Sequence, residues 1–267
     1  MQFVMKRLLI AFLLFLPGII VSCRKEVQPA DEPEEQKDPS PVYLEVDLST
    51  LSYPEPEAVD LGLSVKWATF NLGASKDYEP GYYYAWGETT PKASFSWDNY
   101  EYSNSKGNGF SKYCYSGAAS WWTGSGETPD DMIELLPGDD AVRVNLGGKW
   151  RMPTRWELWE LCDFVSNGDG EIKYEKVNDA SGKPVHGARI SNKITGKSIF
   201  LPSAGRVDGT LIESHGSYCY YWTSSLTRGG INGPAGSYFI GLEGTVETVN
   251  EWTCGRYYGL PIRPVCD

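Results

Sequence analysis

Histidine is nearly missing. Only His186 and His215 occur in 267 residues. Neither stands in a metal-ligand or triad spacing, and both fall in loop-like stretches, which reads them as surface residues. No C-x-x-C pair occurs, so neither a zinc ribbon nor a thioredoxin-like site has support. There is no phosphate loop, and Ser224-Ser225 lacks the flanking glycines of a nucleophile elbow. Asp139-Asp140 and Asp208 do not have the spacing of a calcium loop and read as exposed turn acids. The expectation is therefore no cofactor and no metal. Basic residues are also scarce, 24 against 35 acidic ones, for a net charge of −11. That excess repels nucleic acid and other polyanions, and it opposes electrostatic binding to anionic lipid. No internal repeat is apparent.

What is abundant is aromatic. Ten Trp and seventeen Tyr stand among 29 Gly, with 41% hydrophobic residues overall. A chain of this length and composition buries one sizeable core with many loops.

Met1 to Ser22 has the layout of a targeting segment, with Lys6-Arg7 as basic flank and Leu8 to Leu16 as apolar core. Pro17-Gly18 interrupts the run, which is too short for a membrane span. Ile20-Val21-Ser22-Cys23 resembles a bacterial lipobox, which implies an acylated Cys23 and an outer-membrane lipid anchor. The alternative is an ordinary secretory peptide. Removing Lys6 and Arg7 leaves 22 basic and 35 acidic residues, a net −13. Arg24 to Pro41 holds four prolines and a run of acids with almost nothing apolar, so it cannot fold alone. Lys25-Glu26 and the acids behind them resemble signals that carry some lipoproteins to the cell exterior. Arg24 stands where an inner-membrane retention signal has Asp. The expected organisation is a signal peptide over 1–22, a lipidated Cys and tether over 23–56, and one domain over 57–267.

Within that domain the best-defined element starts at Thr154, a good N-cap with Glu157 completing a capping box. Leu158, Leu161, Cys162 and Val165 follow at the spacing of one buried helix face, and Asn167-Gly168 ends it. Arg151 is expected to meet a carboxylate beneath this helix. Asp139 to Val144 predicts a short helix before it. Strand-like stretches are Val42–Val46, Val65–Asn71, Tyr82–Trp86, Ile172–Val177, Ala188–Ser191, Ser198–Leu201, Tyr218–Thr223, Ser237–Leu242 and Leu260–Val265. Lys92 to Gly126 reads as an insertion or long loop. Helices followed by many short strands predict an α+β fold.

Trp150-Arg151-Met152-Pro153-Thr154, with Val59 to Ala68, Tyr84 to Thr89, Tyr221 to Ser225 and Gly259 to Val265, resembles two related groups. One is the formylglycine-generating enzymes. The other, nearer in pattern, is the Fibrobacter succinogenes major paralogous domain of bacterial lipoproteins. The resemblance spans about Glu57 to Cys266 and implies a C-type-lectin-like fold of the formylglycine-generating-enzyme subclass. Those enzymes carry two catalytic cysteines a few residues apart. Here Cys254 and Cys266 are twelve apart without the surrounding motif, so no catalytic residues are expected. Lectin-like domains often tie a helix to the last strand, which implies a Cys162–Cys266 disulfide. Buried free thiols or a Cys219–Cys254 pair remain the alternatives. Such folds also cluster the loops of their C-terminal half at one end. With its Tyr, Trp, Ser, Asn and Gly, Gly205 to Tyr258 has the composition of an adaptable recognition surface. The expected binding face is Tyr220, Trp252, Arg256 and Tyr257, for a glycan or protein. A structural cell-envelope or appendage subunit is the second reading, and a formylglycine-generating-enzyme-like oxidoreductase the third.

Overall fold

The computed structural model describes residues 40–103, 109–114, 129–227, 236–243 and 249–267, with backbone alone over 236–243 and 249–252. The leader, Cys23 and most of the tether lie outside these residues. In chain order the elements begin with β1 (Val42–Tyr43), β2 (Ala58–Val59), β3 (Lys66–Ala68), α1 (Ala141–Asn145) and α2 (Arg155–Ser166). A meander follows of β4 (Gly170–Asn178), β5 (Pro184–Asn192) and β6 (Ser198–Pro202). Then come β7 (Arg206–Asp208), β8 (Leu211–Glu213), β9 (Tyr218–Leu226), β10 (Gly236–Glu243), β11 (Val249–Gly255) and β12 (Val265–Cys266). The strands form antiparallel sheets ordered β1-β8-β7, β11-β10-β9, β12-β3-β2 and β4-β5-β6. The class is α+β.

The cap of α2 follows the sequence. Thr154 Oγ1 accepts from the Glu157 N–H at 3.3 Å, and Glu157 Oε2 accepts from the Thr154 N–H at 2.7 Å. Arg151 grips the Glu157 carboxylate with two guanidinium nitrogens, at 2.8 and 2.6 Å, and reaches Asp267 at 3.0 Å. Leu158, Leu161, Cys162 and Phe164 point inward, and Val165 is half-buried. Burying each leucine contributes roughly 1.5–3 kcal/mol.

Two cores flank β9, whose residues are buried on both faces. Tyr220 and Trp222 enter the larger core with Tyr84, Trp86, Phe95, Phe110, Tyr113 and Trp150. Cys219 and Tyr221 enter a second one beneath α2, with Trp67, Leu158, Leu161, Ile190 and Val265. Indole donors tie the first core to backbone: Trp222 Nε1–H to the Tyr84 carbonyl at 2.8 Å, Trp86 Nε1–H to the Thr223 carbonyl at 2.9 Å. Arg263, 1% exposed, donates to Asn71 Oδ1 and to the carbonyls of Ala68, Thr69 and Phe200 at 2.7 to 2.9 Å. One guanidinium thus fastens three distant segments.

Several expectations are corrected. The compact unit begins at Ser40, not at 57. β1 pairs with β8, and Leu44 and Tyr53 pack on the larger core, so apolar residues at the tether's end fold into the domain. The stretch from Lys92 is no mere insertion. Phe95, Tyr100, Tyr102, Phe110 and Tyr113 are buried, packed from segments too irregular to show a period. Tyr82–Trp86 makes one bridge, Tyr84 to Leu260, rather than a strand. Asp140 is no exposed turn acid. Its carboxylate is buried and accepts from the N–H groups of Val142, Arg143 and Met152, capping α1. Asp139 is half-buried and accepts from Lys112, Tyr113 and Tyr102.

The Cys162–Cys266 disulfide is absent. Both residues are buried outside any disulfide, Cys162 beneath α2 and Cys266 in the larger core, and Cys114, Cys219 and Cys254 form none either. Nor do Cys219 and Cys254 approach. Cys219 lies opposite Leu242 and Cys254 opposite Ser237 on the intervening β10. Five residues of strand separate those positions, roughly 17 Å, far beyond the ~7 Å Cα limit for a bridge.

Candidate functional site

The face built on Tyr220, Trp252, Arg256 and Tyr257 does not form as expected. Among the described residues of 205–258 strand predominates, the strands expected at Tyr218–Thr223 and Ser237–Leu242 included, and both faces of β9 are covered. Tyr220 is 7% exposed, its ring tilted against Tyr218 at 5.2 Å. Arg256 has no exposed surface. Its guanidinium lies 4.3 Å from the Phe110 ring centre and 5.4 Å from that of Trp86, and donates to the Tyr113 carbonyl at 2.9 Å. Burial lowers its pKa from the ordinary guanidinium value. Trp252 sits in β11 opposite Phe239, and its side chain lies outside the described residues.

Among the members whose side chains are described, Tyr257 reaches the surface in part. Its ring stacks on Tyr258 at 4.2 Å and meets Trp97 at 4.7 Å. Arg206 covers Tyr258 at 4.4 Å and pairs with Glu213 at 2.8 Å. Burial pushes the Tyr257 hydroxyl above its usual value. These half-buried rings make a shelf closed on one side by an ion pair.

A far more open aromatic surface stands on α2. Trp156 is 65% exposed and Trp159 56%, and no other Trp among the described residues is exposed. Because Leu158, Leu161 and Cys162 claim the inner stripe, residues 156 and 159, one turn apart, face away from it. Their rings meet edge to face, with centroids 6.2 Å apart and planes at 83°. The Arg155 guanidinium carbon lies 5.2 Å from the Trp156 ring centre. The mount is rigid. The capping box fixes the first turn, and Glu160 in the second accepts from the Ser64 N–H at 2.9 Å and its hydroxyl at 2.5 Å. The two indoles therefore form a right-angled corner, one face a floor and the other a wall, with a multidentate donor beside it. The signal lies in the complement of the apolar helix face, away from the residues expected to bind.

Groups suited to bond-making are occupied structurally. Glu134 accepts from the hydroxyls of Ser224 at 2.9 Å and Ser225 at 2.5 Å, and Ser225 Oγ accepts from the Arg155 N–H at 2.8 Å. Burial raises the Glu134 carboxyl above its ordinary range, against the pull of both hydroxyls. Arg151 and Glu157 hold each other at the start of α2. His186 and His215 are exposed, His186 on strand β5 rather than in a loop. Partial desolvation lowers the pKa of both, with the charge of Lys176 adding to it at His186 and that of Lys183 at His215. Among the described residues no group of three His, Cys, Asp or Glu is placed to hold a metal ion.

No protein-family model, curated protein or solved structure matches the chain.

Proposed function

We propose that this chain is a non-catalytic binding module, lipid-anchored through Cys23 in a bacterial outer membrane and facing the cell exterior. We assign it a C-type-lectin-like fold of the formylglycine-generating-enzyme subclass. The observation that carries the binding reading is the Trp156–Trp159 corner. Two large apolar side chains held more than half in water are costly to leave bare, and tryptophan is the residue most enriched where binding energy concentrates. The ligand class is a glycan. A pyranose ring offers an apolar face to one indole and an edge to the other, while its hydroxyls take donors from the indole N–H groups. The structural use of Ser224, Ser225, Glu134, Arg151 and Glu157 supports a module without bond-making chemistry.

The test pairs Trp156→Ala and Trp159→Ala with the wild type on a glycan array and in calorimetry. Each variant is expected to lose the glycans that the wild type retains while keeping its thermal midpoint. Wild-type protein that retains no glycan, or variants that bind as well as it does, overturn the reading. For the anchor, Cys23→Ala is expected to release the chain from the membrane fraction.

A further inference from the structure

A second surface, independent of the tryptophan corner, lies where the chain enters the domain. A groove of about 630 Å³ runs between residues 40–46 and residues 80–83, with Ile212 in its wall. That volume falls within the roughly 300–1,000 Å³ of ligand sites. One wall is β1, the outermost strand of the sheet β1-β8-β7.

The main chain of β1 has a definite polarity. Leu44 N–H bonds to the Thr210 carbonyl at 2.8 Å, and Val42 lies opposite Ile212 in the same antiparallel register. Hydrogen-bonded and non-hydrogen-bonded pairs alternate along such a ladder. Positions 42 and 44 therefore face β8, and Tyr43, opposite Leu211, turns its N–H and C=O away from it. Tyr43 also lines the groove, and its side chain is 60% exposed. The remaining walls set Pro80, Tyr82, Pro91 and Ile212 as apolar and aromatic surface beside the polar Lys92 and His215.

We infer that this groove takes an extended peptide segment of a partner protein, which adds to the outer edge of β1 and lays alternate apolar side chains between Tyr82 and Ile212. An edge strand beside a pocketed groove is the general arrangement for strand addition. The chain's own preceding stretch is a poor occupant. By sequence, residues 24–39 carry Pro29, Pro33 and Pro39, with Val27 and Ala30 as their only apolar side chains apart from those prolines. Proline cannot donate to a ladder, and that stretch has no alternating apolar set for the walls. The occupant must come from elsewhere.

The probe is a displayed library of random decapeptides selected on the full chain. Enriched peptides should alternate apolar residues and bind as extended strands. Methylating alternate amide nitrogens of a selected peptide should weaken it at least ~10-fold. The matching protein variant is Tyr43→Pro, which removes the outward N–H while sparing the bonds to β8, a substitution that edge strands accept. It should lose the same ~10-fold with its thermal midpoint held, and Trp156→Ala should leave binding unchanged. Should Tyr43→Pro fail to fold, Val42→Lys, on an exposed groove residue, takes its place. No enriched peptide, binding indifferent to N-methylation and to the groove variants, or a groove already filled by a second copy in sedimentation, each overturns the proposal.

Discussion

Arg263 Nε donates to Asn71 Oδ1 at 2.7 Å across 192 residues of sequence, with both side chains 1% exposed. The same guanidinium satisfies the carbonyls of Ala68, Thr69 and Phe200. Lysine offers one nitrogen where arginine spreads donors over three, so Arg263→Lys strands several of these acceptors in a dry site. It is expected to lose about 3 kcal/mol or more of unfolding free energy. A denaturant titration measures this. A loss below about 1 kcal/mol, the size of one ordinary hydrogen bond, would show that the network is replaceable.

At the head of α2, the cap and the ion pair predict different costs. Thr154→Ala removes one cap bond and should cost ~1 kcal/mol. Glu157→Ala removes the reciprocal cap and leaves the Arg151 guanidinium without its bidentate partner, so it should cost clearly more. Asp267→Ala should be neutral, because its carboxylate is 89% exposed and surface pairs contribute little. Equal thermal shifts in the three variants would refute this ordering.

Glu134 predicts a pH signature. Burial holds its folded pKa above the ordinary 4.5. Between that ordinary value and the folded one, the native chain keeps a proton that the unfolded chain has released, so stability falls as pH rises. The contribution is fully present below 4.5 and lost as pH climbs through the folded value. Glu134→Gln cannot titrate. The wild-type thermal midpoint, relative to the variant's, should therefore rise as pH drops from 7 toward 5. A gap that stays constant, or moves the other way, contradicts the placement of Glu134.

The cysteines give a redox prediction. Cys114, Cys162, Cys219, Cys254 and Cys266 are all buried and outside any disulfide. Burial pushes the Cys219 thiol up to about 12 and raises that of Cys254 as well. A thiol kept protonated and sheltered is a poor nucleophile. Native protein should leave all five unlabelled by an aromatic disulfide reagent and expose them together in denaturant. A reductant should not move the thermal midpoint. A lowered midpoint, or an unreduced mass short by two hydrogens, would restore the disulfide.

The parts that could be read from the chain are those built by neighbours in sequence. α2 announces itself because its cap, its apolar stripe and its terminating Asn167-Gly168 lie within fifteen positions. The meander β4-β5-β6 shows because its alternation is local. β2, β7 and β8 are two or three residues long, too short to show an alternation, although β2 pairs with nearby β3 and β7 with nearby β8. β9 is expected as a strand, but its burial is not legible: a strand covered on both faces points aromatics such as Tyr220, Tyr221 and Trp222 to either side, and that composition is shared with recognition surfaces. Arg256 shows the limit of residue type, since a guanidinium on a binding face and one sealed between Phe110 and Trp86 are the same letter. The Trp156–Trp159 pair was within reach, one turn apart opposite Leu158 and Leu161.

The pairing of β3 with β12 has a consequence in time. Trp67 lies opposite Val265, and Arg263 closes on Asn71 from 192 residues downstream. At about 5–20 residues per second of synthesis, β3 waits roughly 10–40 s for that partner. During the wait it has only the short β2 beside it, and the Asn71 loop has no guanidinium to gather it. Placing the clasp so late leaves the domain open throughout synthesis, and makes the waiting strand the segment a chaperone must shield.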